Sequence, residues 1–135
     1  MRKVSFLLEL PKLNLNMAIN EARALDALGG DSTLLVELAN IFAEDAPNAL
    51  EKLRSAVDKN DFSAALSETH SIKGLVSTFF AKSVVDLAQR LESEAASEKL
   101  ELFRNGGFEE LSQNIEAIIL DFKSRGWVDS NSYSS

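Results

Sequence analysis

Apolar residues recur along this chain in steps of three and four, the repeat of a helix with one buried face. The longest series is Leu35, Leu38, Phe42, Ala46, Ala49, Leu53 and Ala56. At 1.5 Å per residue it predicts one helical face of roughly 40 Å. Pro47 interrupts the series, removing a backbone donor and crowding the turn before it. The pattern nevertheless runs through Pro47 in phase, which predicts one kinked helix rather than two. Asp31 is its expected N-cap and Asn60 its end. Asp61 then caps a helix with the inward series Phe62, Leu66, Thr69, Ile72, Val76 and Phe79. Ser83 with Asp86 has the form of a capping box, opening a helix that buries Val84, Leu87, Leu91 and Ala95. A last helix carries Phe108, Leu111, Ile115, Ile118 and Phe122 and stops at Gly126, with Trp127 packing beyond it. Ahead of all these, Asn16 is expected to cap a helix of about three turns through Leu28, ended by Gly29-Gly30.

The remaining stretches are shorter or more polar. Residues 1–15 carry Phe6, Leu7, Leu8, Leu10, Leu13 and Leu15 around Pro11, the content of a lead-in lying across the end of a bundle. Ser97 to Gly107 reads as a polar connection with Leu100, Leu102 and Phe103 tucking in. Residues 128–135 are expected to be a disordered tail. No stretch alternates with period two for long, and the turn chemistry is that of helix caps. The expectation is an all-α chain: an antiparallel four-helix bundle over residues 16–127 with an additional N-terminal segment.

Composition narrows the function. The chain has 135 residues, the size of one domain, and a formal net charge of −7. That charge argues against nucleic acid or an anionic membrane surface as partner, since both reward concentrated Lys and Arg. With no cysteine and one histidine, neither a thiolate site nor a zinc site has enough ligands. Nothing resembles a nucleophile elbow or a glycine-rich phosphate cradle, so no cofactor or metal is expected. The apolar start, Met1 to Leu8, is cut short by Glu9, no run is long enough to span a bilayer, and a cytoplasmic protein is expected.

The candidate chemistry gathers on the second long helix. At 100° per residue, Ser63, Ser67, Gly74, Ser77 and Ala81 collect opposite its apolar stripe. His70 falls among these small residues, and Lys73 sits at the border of the stripe. Lys73 and Gly74 therefore lie one turn above His70 on its own side. Neutral imidazole is a good nucleophile towards an activated phosphoryl group. An ammonium one turn away disfavours the imidazolium and favours negative phosphoryl oxygens after transfer. Gly74, which costs a helix on the order of 1 kcal/mol relative to alanine, leaves room for the incoming group and a partner's backbone. The neighbouring carboxylate pairs (Glu44 with Asp45, Glu92 with Glu94, Glu109 with Glu110) read mostly as solvated faces.

Residues from about Leu28 to Ala95 resemble a histidine-containing phosphotransfer domain of bacterial phosphorelays. The matching pieces are Leu28-Gly29-Gly30-Asp31 with Leu34 and Leu35, then Phe42, Leu50 and Leu53, then Asp61-Phe62. His70-Ser71-Ile72-Lys73-Gly74 is the core, followed by Leu87-Ala88 and Leu91-Glu92. The resemblance implies a four-helix bundle with His70 as phospho-acceptor, Lys73 as phosphate-side cation and Gly74 as clearance residue. It places Glu92 where members often have Gln or Glu, able to orient the imidazole through its other nitrogen. It departs at Phe80, where the family commonly has a small residue, often Gly, ten positions past the histidine.

The resulting expectation is a monomeric phosphocarrier that takes a phosphoryl group on His70 from an aspartyl-phosphate receiver domain and passes it to another. It would have no autokinase activity, and magnesium would come only with the receiver. The partner would dock over Ser67, His70, Ser71, Lys73, Gly74 and Ser77, with Phe80 reshaping the rim. The initiating Met and loose polar tail lean towards a free-standing protein rather than a piece of a hybrid kinase. The rival readings are a non-catalytic helical adaptor with His70 incidental and, further off, a hydrolase using His70 as general base.

Overall fold

Five α-helices follow one another through residues 19–129, which are the residues that the computed structural model describes. They are α1 (Glu21–Ala27), α2 (Ser32–Asp58), α3 (Phe62–Thr78), α4 (Lys82–Ala96) and α5 (Phe108–Ser124). The lead-in expected over residues 1–15, the cap expected at Asn16 and most of the expected tail lie outside the described residues.

Helices α2 to α5 close a ring, α2 and α4 each packing against both α3 and α5. Joints of three residues after α2 and after α3 turn the chain back each time, so the bundle is antiparallel. Its core includes Leu35, Phe42, Leu53, Ile72, Val76, Leu87, Leu91, Leu111, Ile115 and Phe122, all buried. At one end Phe42, Phe79 and Phe122 form an aromatic cluster, with Phe42 edge-on to both others at 5.8 and 5.4 Å. Trp127 packs on Phe122 from outside. α2 runs as one helix through Pro47, with Asp31 accepting from the Leu34 amide as its N-cap. Asp61 caps α3 in the same way through the Ala64 amide.

One hydrogen-bond pattern ends all five helices. The amide just past the C-cap returns to the carbonyl three residues back, and the following amide to the carbonyl five residues back, as in Gly29 to Asp26 and Gly30 to Leu25. This Schellman closure needs a left-handed residue at its corner. Gly29, Asn60, Phe80, Glu98 and Gly126 fill the five corners, all at positive φ. At φ 53° Phe80 stands where glycine is at ease, the residue type that the resemblance leads one to expect there.

Several expectations are corrected. α1 begins at Glu21 and is capped by Asn20, which accepts from the Arg23 amide while its own amide donates to Phe79 O. That anchor to the α3–α4 joint keeps residues 19 and 20 out of the helix. Ser83 and Asp86 do not form a capping box: α4 starts at Lys82 behind Ala81, with no side-chain cap, and Asp86 pairs with Lys82 at 3.2 Å. The left-handed turn at Phe80 has already reversed the chain, so helix can begin at once. The same turn carries Ala81 out of the small-residue strip and buries it. Leu102 is exposed while Leu100 and Phe103 are buried. There the connection winds into a wide π-type turn over Phe103–Gly107. A Cβ on Gly107 would come within 2.5 Å of Leu102 O and 2.8 Å of the Leu91 side chain, so glycine is required. Val128, expected in the tail, is buried.

Phe79→Ala should lower unfolding free energy by about 3–5 kcal/mol, since it removes a buried ring packed against both Phe42 and Phe122. Urea unfolding followed by far-UV circular dichroism measures it; a loss below about 1 kcal/mol would mean that end of the bundle collapses around the gap.

Candidate functional site

The rotation of α3 about its axis is set by its buried side chains. Thr69, Ile72 and Val76 are fully buried, and Thr69 satisfies its hydroxyl by donating to Ala65 O at 2.7 Å. His70 is therefore turned outward, with its side chain 69% exposed. The helix leaves it between two unlike borders. Towards α2 lie the small exposed residues Ser67, Ser71 and Gly74, the last two lining a shallow groove with Asp45, Asn48 and Lys52. Towards α4 lie charge and hydrogen bonding.

On the α4 side Glu92 joins two residues of α3. Its Oε2 lies 2.8 Å from His70 Nδ1, and its Oε1 forms an ion pair with Lys73 Nζ at 2.7 Å. Lys73 Nζ also donates to Gln89 Oε1 at 2.8 Å, and Gln89 Nε2 donates in turn to Ser93 Oγ at 3.1 Å. Lys73 and Glu92 are 24% and 15% exposed, so the pair lies in the helix seam and is screened less than a surface pair would be. Lys73 beside it holds the Glu92 carboxyl below the ordinary carboxylate range, outweighing its partial burial, and His70 adds to the effect. Glu92 is thus an anion at neutral pH. Of the two neutral tautomers, an anion facing Nδ1 favours the one with the proton on Nδ1. That leaves the Nε2 lone pair facing solvent, where no partner among the described residues engages it.

His70, Lys73, Gly74 and Glu92 are thus brought together. A Cβ on Gly74 would meet nothing within 4 Å, so no internal contact demands glycine there and the space it leaves opens outward. Ser67, Ser71 and Ser77 lie exposed on the same helix. Phe80 does not join them. Ten residues on, roughly 15 Å along the axis, it is half-buried at the bundle end with the Arg23 guanidinium 4.7 Å from its ring centre. It therefore shapes the α1 joint and leaves the rim around the imidazole alone. Gln89 is the residue that sequence reasoning missed. Its signal is faint: it precedes Glu92 by three residues, placing both on the α4 face that meets α3.

No helix among the described residues is long and apolar enough to cross a membrane, and no group of three potential metal ligands converges among them. Residues 37–120 match the Hpt domain family. Among solved structures, the chain is similar to the histidine-containing phosphotransfer protein HptB from Pseudomonas aeruginosa PAO1, with 22% identity and a TM-score of 0.71. The likeness covers 80% of this chain and 94% of that one. No curated protein matches.

A carboxyl whose folded pKa lies below its unfolded value adds stability above the ordinary carboxylate range and loses it as pH falls through the folded value. The stability advantage of the parent over Glu92→Gln should therefore be full near neutrality and shrink on acidification below the carboxylate range. Urea midpoints measured across that range check it; an advantage constant with pH would show that the Lys73 pairing does not stabilise the fold.

Proposed function

This chain belongs to the Hpt domain family, the histidine phosphotransfer proteins of two-component signalling, and we propose that it carries a phosphoryl group on His70 Nε2 between receiver domains. The observation that carries this reading is the exposed imidazole whose Nδ1 is held by Glu92 while Nε2 stays open to solvent.

In the forward step the Nε2 lone pair attacks the phosphorus of a receiver's aspartyl phosphate. The N–P bond forms, the P–O bond breaks, and its electron pair returns to the receiver's carboxylate. The reverse step delivers the group to a second receiver's aspartate. Lys73, one turn along α3 from His70, leaves Glu92 and Gln89 for the new phosphoryl oxygens, where a cation offsets their charge. Gly74 and the serines at 67, 71 and 77 form the low ground on which the receiver settles, beside the groove bordered by α2. Magnesium is supplied in the receiver's acidic pocket. The family's members are phosphocarriers, and this chain relies on receivers for its phosphoryl group, with no autokinase activity of its own. It acts as a monomer in the cytoplasm, where receivers are found.

Three outcomes are expected with a phosphorylated receiver. The parent acquires acid-labile, base-stable phosphate, and His70→Gln acquires none while keeping its helical circular dichroism; label retained in that variant would overturn the assignment. Lys73→Ala slows transfer by roughly tenfold or more with its fold intact, and an unchanged rate would show that the cation takes no part. Gly74→Leu stabilises α3 by up to about 1 kcal/mol yet abolishes receiver binding; binding equal to the parent would refute the clearance role.

A further inference from the structure

A phosphocarrier must do more than accept the group, because the N–P bond has to remain breakable. The bond leaves easily only if the ring retains a proton on Nδ1. Departure of the phosphoryl group then returns the electron pair to Nε2 and yields neutral imidazole. With Nδ1 bare, the same departure would yield imidazolate, a far poorer leaving group. Phosphorylation withdraws electrons from the ring and so loosens that proton. Whatever faces Nδ1 therefore decides whether the phosphoryl group is mobile or merely stored.

We propose that Glu92 keeps the Nδ1 proton on phosphorylated His70, so that the group can move in either direction without proton exchange with solvent. This rests on the reading of His70 as acceptor. Oε2 already lies 2.8 Å from Nδ1, on the side of the ring away from the attacking nitrogen, so the contact survives transfer. The charge arrangement strengthens it. In the unloaded protein Glu92 divides itself between His70 and Lys73. When Lys73 turns to the phosphoryl oxygens, a carboxylate only 15% exposed is left with Nδ1–H as its remaining partner. Gln89, which also accepts from Lys73, is uncharged and cannot take over that role.

The other charges around the ring are accounted for. α3 packs against α2 and α4. Lys73 on α3 and Glu92 on α4 face His70 on one side, and Glu68 with Asp45 and Lys52 of α2 border the groove on the other. None of the latter reaches Nδ1, so the proton's fate lies with Glu92. A glutamine at this position would still accept the hydrogen bond but would bring no charge to hold the proton.

The test loads the full chain with phosphoramidate, a small donor that needs no receiver. ¹⁵N NMR then follows Nδ1 of phospho-His70 as pH rises, alongside the free amino acid Nε2-phosphohistidine. In the parent Nδ1 should stay protonated to at least about one pH unit above the midpoint of the free amino acid, a tenfold stronger hold on the proton. Discharge to a receiver should then be nearly flat across neutral pH, whereas Glu92→Gln should slow about tenfold for each pH unit above the free amino acid's midpoint. Glu92→Asp should restore part of the flat profile. A parent ring titrating together with free phosphohistidine, or a Glu92→Gln profile matching the parent's, overturns the proposal and leaves the carrier reading standing. Failure to load His70, or loaded protein that no receiver discharges at any pH, overturns both.

Discussion

The orientation of one helix about its own axis is the constraint on which the site depends. With successive residues 100° apart, burying Thr69, Ile72 and Val76 leaves no freedom in where residues 70, 73 and 74 point. His70 must face solvent, Lys73 must fall in the seam with α4, and Gly74 must open outward. The core that stabilises α3 and the outward display of the His70 imidazole are therefore one arrangement. A substitution that let α3 roll would move the imidazole and the cation together.

What α4 adds is charge at a fixed distance. Lys73 can only be placed near a border by reasoning along α3; its actual partners are Glu92 and Gln89, contributed by the neighbouring helix. The ammonium does not stand free beside the ring. It is parked against a carboxylate that also holds the ring's other nitrogen, so tautomer choice and cation position are coupled through a single side chain. Because Glu92 is mostly sheltered, its charge acts at short range and with less screening than at an open surface.

The joints set where each helix ends and the next begins. Each helix closes through a left-handed corner, and glycine at the first and last corners advertises this plainly. Asn60 does so less clearly, and Phe80 and Glu98 not at all, because aromatic and long side chains are poor predictors of positive φ. Without that corner, the polar pair Ser83 and Asp86 is the nearest legible start for α4. The real start, Ala81 followed by Lys82, has no polar cap from which it could be read.

The spacing of apolar residues by itself determined the all-helical class, the four long helices, the in-phase passage through Pro47 and the outward strip carrying His70, because helical periodicity is a local property. The caps at Asp31 and Asp61 were legible for the same reason: a short polar side chain acts on amides three residues away. The pairing of Glu92 with both His70 and Lys73, the role of Gln89, the burial of Ala81 and Val128 and the removal of Phe80 from the site were decided only by the tertiary structure. Each depends on which helix lies beside which and at what height, a relation between residues far apart in the chain that no local repeat encodes.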